Sequence, residues 1–104
     1  MESLATQAQF EELWFSKDTR QQWIVYFTAA WCGPCKLLDT DAIAKAAQEK
    51  GIPIYKCDET VNDYTSGYCG IRTFPTFVLF NPKKVCDTVS SNDTRIIIDW
   101  IARM

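Results

Sequence analysis

The chain has 104 residues, 47% of them hydrophobic, which predicts one globular domain over residues 1–104 with a small core. A formal net charge of −2 supplies no basic surface for nucleic acid, and the absence of histidine excludes a cysteine hydrolase that needs an imidazole base. The N-terminal residues lack a basic segment followed by an apolar one, and no apolar run approaches a membrane span, so we expect a cytoplasmic protein without membrane contact.

The first two predicted elements are a helix and a buried strand. Thr6 is a suitable N-cap for a helix in which Phe10, Leu13 and Trp14 share one face. The segment from Trp23 to Phe27 is apolar without alternation, which is typical of a central strand covered on both faces. We therefore expect these tryptophans to belong to the core.

A second helix and a second strand follow. The helix is predicted from about Pro34 to Lys50 and is ended by Gly51, and Ile52 to Cys57 has the composition of the next strand. Together with the preceding strand, these segments form a β-α-β unit with a crossover helix. The carboxyl end of the first strand and the start of the helix then meet at the usual functional edge of an open α/β sheet.

The remainder of the chain predicts a short helix, a β-hairpin and a closing helix. Val61, Tyr64 and Tyr68 are spaced as on one face of a helix, which predicts a short third helix before Gly70. Strands over Thr76–Phe80 and Lys84–Val89 are joined by three residues, too few for a crossover, so they form an antiparallel pair. From about Asp93 onwards, one helical face is apolar and consists of Ile97, Trp100, Ile101 and Met104.

Two cysteines three positions apart stand at the start of the second predicted helix. Positions i and i+3 lie roughly 5–6 Å apart on one helix face, within the Cα separation that a disulfide tolerates. Pro34 fits only a first helical turn, which places Cys32 at the helix N-terminus, where free N–H groups favour a thiolate. We expect Cys35, one turn further in, to be more buried, so that Cys32 attacks and Cys35 resolves.

Two motifs give the chain a family resemblance over nearly its whole length. Trp-Cys-Gly-Pro-Cys-Lys occupies Trp31 to Lys36, and Gly-Ile-Arg-Thr-Phe-Pro-Thr occupies Gly70 to Thr76. Together they resemble the active-site signature and the cis-proline loop of the thioredoxin family. The resemblance implies an α/β thioredoxin fold, in which a central mixed β-sheet is flanked by helices in three layers.

The resemblance also implies a function, which is the reduction of protein disulfides by a Cys32/Cys35 dithiol that needs no cofactor and is regenerated by a thioredoxin reductase. Trp31 is then an exposed contact beside the nucleophile. Pro75 is implied to be cis, with the backbone of Thr73 and Phe74 free to pair with an extended substrate. Gly33 and Pro34 add no cation between the cysteines, which favours a reductant over an oxidant.

Three positions depart from the family pattern. Tyr26 stands where the family has a buried aspartate that helps to deprotonate the resolving cysteine, so we expect slower or water-dependent resolution. Without that acid, Lys56 is expected to be an ordinary surface residue of its strand. Members of the family usually have a proline in the middle of the active-site helix, near the position of Thr40. Its absence here predicts a less kinked helix. After the last strand, Ser90 or Ser91 replaces a family glycine that leaves space for substrate. The added side chain is expected to narrow the range of partners.

The other cysteines and the competing functions complete the predictions. We expect Cys57 to be buried and inert. Cys69 stands where some members of the thioredoxin family carry a cysteine that can be oxidised or link two chains, so the resemblance leaves an exposed, reactive Cys69 and a Cys69-linked dimer as the alternative to a monomer. Cys86 can face either way. A zinc site would have to complete its four ligands from Cys57, Cys69 or Cys86, none of which belongs to a second Cys-x-x-Cys, so no metal is expected. The competing functions are electron donation to one dedicated partner and a non-catalytic binding platform.

Overall fold

The computed structural model describes residues 1–104, which form a mixed five-stranded sheet with helices on both faces. In chain order the elements are β1 (Glu2–Ser3), α1 (Gln7–Trp14), β2 (Trp23–Thr28), a 3₁₀ helix (Pro34–Leu37), α2 (Thr40–Glu49), β3 (Ile54–Asp58), α3 (Asp63–Tyr68), β4 (Thr76–Asn81), β5 (Lys84–Ser90) and α4 (Thr94–Ala102). The strand order is β1-β3-β2-β4-β5. The first three of these strands are parallel, and β4 and β5 run antiparallel to their neighbours.

Two hydrophobic cores lie on opposite faces of the sheet and confirm the three layers. Alternate residues of β2 supply both cores: Ile24 and Tyr26 pack on one face, while Val25 and Phe27 pack on the other. The first face is covered by α2 and α4. The second is covered by α1, and α3 packs beside it through Tyr68, whose ring contacts Phe10 and Trp14. All six residues of β2 are buried, as its uninterrupted apolar sequence predicts.

Most predicted elements are confirmed. Thr6 caps α1 through a capping box with Gln9, the hairpin and the closing helix form as expected, and Trp100 is buried with Trp23. Trp14 is only partly buried, and it packs against the core beneath α1. The strand β1 was not predicted, because two residues carry no periodic signal. None of the helices combines the length and hydropathy that a membrane-spanning segment needs.

The predicted helix from Pro34 to Lys50 is wrong as a single element. It is interrupted at Leu38, whose backbone is extended (φ −79°, ψ 136°) and whose side chain is buried in the core. Asp39 restarts the helix: its carboxylate accepts the N–H of Ala42 at 3.1 Å, and its own N–H donates to Thr94 Oγ1 at 2.9 Å. The expectation of a less kinked helix is therefore also wrong, since capping and burial break the helix without proline.

The helix α3 forms where predicted, but its predicted face is not the buried one. Val61 and Tyr64 are 67% and 66% exposed, whereas Thr65 and Ser66 are buried. Hydrogen bonds hold this helix: the Asn62 side chain accepts the N–H of Thr65 at 3.2 Å and donates to the carbonyl of Leu4 at 3.2 Å. Polar capping, which an apolar periodicity does not record, therefore decides how α3 packs.

The cap at Asp39 gives a first test. Asp39→Ala should lower the free energy of unfolding by about 0.5–2 kcal/mol, because it removes the side-chain acceptor at the start of α2. Asp39→Asn keeps an acceptor of the same shape and should cost much less. Urea unfolding followed by circular dichroism measures both. Equal losses in the two variants would show that the charge, not the cap, stabilises the interruption.

Candidate active site

A disulfide between Cys32 and Cys35 lies where the chain leaves the carboxyl end of β2. The two Cα atoms are 5.4 Å apart, which is the separation that the i, i+3 spacing predicts. The turn that presents them is closed by the N–H of Cys32, which donates to the carbonyl of Ala29 at 3.0 Å. The pair can therefore open and close with little change in the surrounding backbone.

The local structure corrects the expected difference between the two thiols. Cys32 does not lie inside a long helix: it precedes Gly33, which caps a 3₁₀ helix of four residues. Its sulfur accepts the backbone N–H of Cys35 at 3.2 Å, so one directed donor, rather than a long helix dipole, favours negative charge there. Cys32 and Cys35 are 3% and 6% exposed, so the prediction that Cys35 is the more buried is wrong for the disulfide form.

An aromatic and proline surface borders the disulfide. Trp31 is 66% exposed, as expected, and its ring meets that of Phe74 edge-on with centroids 5.6 Å apart. The side chain of Phe74 also packs against the cluster that holds both cysteines. The peptide bond between Phe74 and Pro75 is cis. The two sequence motifs, separated by more than thirty residues, are thus brought into contact.

A shallow groove of about 180 Å³ runs beside this surface. One part of its lining comes from Pro34, Thr73, Phe74 and Pro75, and the other from Ser90, Ser91 and Asn92. Thr76 connects these two parts, because its Oγ1 donates to the carbonyl of Thr73 at 2.6 Å and lies 2.7 Å from Ser90 Oγ. The groove is therefore a fixed surface with one polar wall.

Tyr26 belongs to the core as much as to the site. Its ring stacks on Phe77 with centroids 4.6 Å apart, and the residue is 3% exposed. Burial raises the pKa of Tyr26 above its ordinary value; the Thr28 side chain opposes this, and the Asp58 carboxylate adds to it. The phenol is therefore protonated at neutral pH and does not serve as a base. Lys56 is exposed on β3, as predicted.

A second, larger cavity of about 480 Å³ also reaches the disulfide. It is lined by Cys35, Tyr26 and Lys56, together with Asp58, which the sequence analysis did not select. The signal that could have found Asp58 is the alternation along β3, which places it on the same face as Lys56. That signal becomes informative only when the pairing of β2 with β3 is known.

The other three cysteines have surroundings unlike those of the pair. Cys57 is fully buried, and burial raises the pKa of its thiol to about 11. Cys69 is partly buried, and burial raises its pKa to about 12, with Cys57 adding to the shift. This disfavours a Cys69-linked dimer. Cys86 donates to Asn81 Oδ1 at 2.8 Å. No group of three or more His, Cys, Asp or Glu side chains is placed to hold a metal ion.

Comparison with known proteins places these features in a family. The thioredoxin family model matches residues 3–103. The thioredoxin of Rickettsia typhi is 37% identical over 81 residues, which cover 75% of this chain and 76% of that protein. The solved thioredoxin of Fasciola hepatica superposes with a TM-score of 0.82 at 28% identity and covers 99% of this chain and 98% of its own. That of Malassezia sympodialis gives a TM-score of 0.84 at 25% identity, over 99% of this chain and 89% of its own.

The burial of the free thiols gives a second test. With the disulfide reduced, iodoacetamide at about pH 8 should alkylate Cys32 first and Cys57 and Cys69 last, because a pKa of about 11 leaves only about one Cys57 thiol in a thousand ionised. Labelling of the two buried thiols should rise about tenfold per pH unit below their pKa values. Mass spectrometry of peptides measures each rate, with denatured protein as the control. Alkylation of Cys69 as fast as that of Cys32 would contradict its raised pKa.

Proposed function

Because the chain belongs to the thioredoxin family and is a thiol-disulfide oxidoreductase, we propose that it reduces disulfide bonds in protein substrates. The observation that carries this proposal is the position of the Cys32–Cys35 pair beside the groove formed by Thr73, Phe74 and Pro75. A groove of this shape fits an extended peptide. A protein segment that contains a disulfide could therefore bring its sulfur to the pair.

The proposed reaction consists of two exchanges. The Cys32 thiolate attacks one sulfur of the target disulfide, the target S–S bond breaks, and the leaving sulfur departs as a thiolate. The mixed disulfide is then attacked by the Cys35 thiolate at the Cys32 sulfur, which releases the second target thiolate and forms the Cys32–Cys35 disulfide. Two electrons have passed to the target. A thioredoxin reductase is the proposed donor that returns them to the pair.

Substrate binding in this proposal uses backbone as well as side chains. An extended segment can pair with the backbone of Thr73 and Phe74, as in strand addition, while Pro75 has no N–H at that point. The exposed ring of Trp31 supplies apolar contact next to the sulfur. Backbone pairing does not depend on substrate sequence, which suits a reductant of many proteins.

The surroundings of the pair support a reductant that works in the cytoplasm. No cation stands between the cysteines, where Gly33 and Pro34 occur, so the thiolate is not strongly stabilised and the disulfide is readily formed. The three remaining cysteines are unpaired. A reducing compartment maintains such thiols, and we therefore propose the cytoplasm as the location.

A dedicated partner is the second candidate function, and the polar wall of the groove favours it. Ser90, Ser91 and Asn92 line the side that faces Pro34 and Pro75. These side chains can donate and accept hydrogen bonds, and a substrate that leaves them unpaired in the bound state loses affinity. Such a wall would select substrates with polar groups next to the disulfide.

The roles of the two cysteines give the third test. Cys32→Ser should abolish reduction of insulin in the presence of a thioredoxin reductase, whereas Cys35→Ser should accumulate a mixed disulfide, because attack needs the first thiol and release needs the second. Non-reducing electrophoresis with mass spectrometry identifies the trapped species. Trapping through Cys35 in the Cys32→Ser protein would reverse the assignment. Turnover of one partner but not of insulin would favour the dedicated donor.

A variant with both changes separates catalysis from binding. Cys32→Ser, Cys35→Ser keeps the groove and the fold but has no redox pair. Retention of function in a cell that depends on the protein would contradict the proposed reduction and would favour a binding platform. Loss of function with unchanged stability supports it.

A further inference from the structure

The cavity of about 480 Å³ connects the resolving cysteine with a carboxylate. Cys35 contributes to its lining from the 3₁₀ helix, and Asp58 contributes from the end of β3. The volume has room for several water molecules, and the polar groups around it can hold them. The reaction proposed above requires Cys35 to lose a proton, and Tyr26 is protonated and cannot accept it.

The pairing of β2 with β3 explains why Asp58 faces this cavity. Tyr26 is the partner of Lys56, and Thr28 is the partner of Asp58, in a parallel ladder. Because side chains two positions apart share a face, all four point to the side of the sheet that carries the cavity. The carboxylate thus lies two residues further along the strand pair than Tyr26, at the end of the sheet from which the chain continues to Cys32 and Cys35.

The carboxylate of Asp58 is partly fixed and partly free. Its Oδ1 accepts the backbone N–H of Thr60 at 2.9 Å, and the N–H of Glu59 donates to the carbonyl of Thr28 at 2.8 Å, which ties this turn to the end of β2. Oδ2 makes no hydrogen bond within the protein and can accept one from a water molecule in the cavity. Asp58 is half-buried, so it remains in contact with solvent that can exchange protons.

Other titratable groups face the same cavity, but none replaces Asp58. They are Tyr26 of β2, Lys36 of the 3₁₀ helix, Asp41 of α2, Lys56 of β3 and the N-terminal residue Met1. A lysine ammonium has no lone pair to accept a proton. Asp41 is exposed in the first turn of α2, and no hydrogen bond fixes its side chain. Asp58 is the carboxylate held in place by the sheet.

We propose that Asp58 accepts, through water in this cavity, the proton that Cys35 loses before it resolves the mixed disulfide. The Cys35 S–H bond breaks, the proton passes by way of water to Asp58 Oδ2, and the electron pair left on sulfur attacks the sulfur of Cys32. The bond from Cys32 to the target sulfur then breaks, and the target leaves as a thiolate. The protonated Asp58 returns its proton to solvent. The inference rests on the proposed function only in that a mixed disulfide forms at Cys32.

The test uses a small disulfide, so that it does not depend on protein substrates. Reduced protein, with Cys69→Ser and Cys86→Ser as the background, is mixed with dithiobis(nitrobenzoate), and stopped-flow absorbance follows two releases of thionitrobenzoate. The first release reports attack by Cys32 and the second reports resolution by Cys35. Asp58→Asn should slow the second release about 10- to 100-fold at neutral pH and leave the first nearly unchanged. Failure of insulin reduction alone would count against the proposed function and not against this step.

The sign of the effect distinguishes a proton acceptor from a bystander charge. A carboxylate near a thiol disfavours the thiolate, so its removal without any other role would speed resolution. A slower second release in Asp58→Asn, with a rate that rises about tenfold per pH unit from about pH 6 to about pH 8 where the parent is flatter, supports the proposal. A faster or unchanged second release would overturn it.

Matched variants control for folding and for the rest of the cavity. Asp41→Asn removes the other carboxylate and should not slow the second release, and neither should Tyr26→Phe, which keeps the stack on Phe77. Asp58→Glu retains a carboxylate and should recover most of the rate. Urea unfolding identifies any variant that is destabilised. Equal slowing by Asp58→Asn and Asp58→Glu at unchanged pH dependence would assign Asp58 a structural role in its turn, which would contradict the proposal.

Discussion

Burial of strand β2 on both faces is the constraint on which the rest of the molecule depends. All six of its residues are buried, and its apolar side chains supply both cores. The neighbouring strands β3 and β4 satisfy its backbone hydrogen bonds. The chain can reach the surface only where this central strand ends. The chain after Thr28 therefore emerges next to the end of β3 and the start of β4, and the disulfide, the turn at Asp58 and the loop at Pro75 meet there.

Sequence reasoning recovered the parts that follow from local patterns. The apolar run of β2, the helical face of α4 and the cap at Thr6 each have a direct physical signature, and the spacing of Cys32 and Cys35 fixes their contact. The interruption at Leu38 escaped, because a buried leucine fits a helical period as well as an extended turn. The contribution of Asp58 escaped for another reason, since it depends on the register between two strands that are distant in sequence.

Five cysteines with the same chemistry are given different reactivities by their positions. Cys57 lies in the core beneath α1 and Cys69 is partly buried against it, and burial raises the pKa of each thiol and keeps it protonated. Cys32 instead receives a backbone N–H at its sulfur. A donor at the sulfur favours a thiolate, whereas at Cys57 the hydrogen bond with the Ser66 side chain only partly offsets the effect of burial on the pKa. The fold thereby disfavours exchange at Cys57 and Cys69 without removing their thiols.

The place of the carboxylate also bears on stability. A carboxylate at position 26 would lie in the middle of the sheet and would have to be desolvated there, whereas the tyrosine gains a stacked contact with Phe77 that is worth about 0.5–1.5 kcal/mol. Asp58 lies at the end of a strand, half-buried and in contact with solvent, so its charge needs no such desolvation. Under the proposed mechanism, Asp58 of β3 accepts the proton, while Tyr26 of β2 packs in the core. The central strand can then stay apolar while the resolving cysteine still has a base within reach of water.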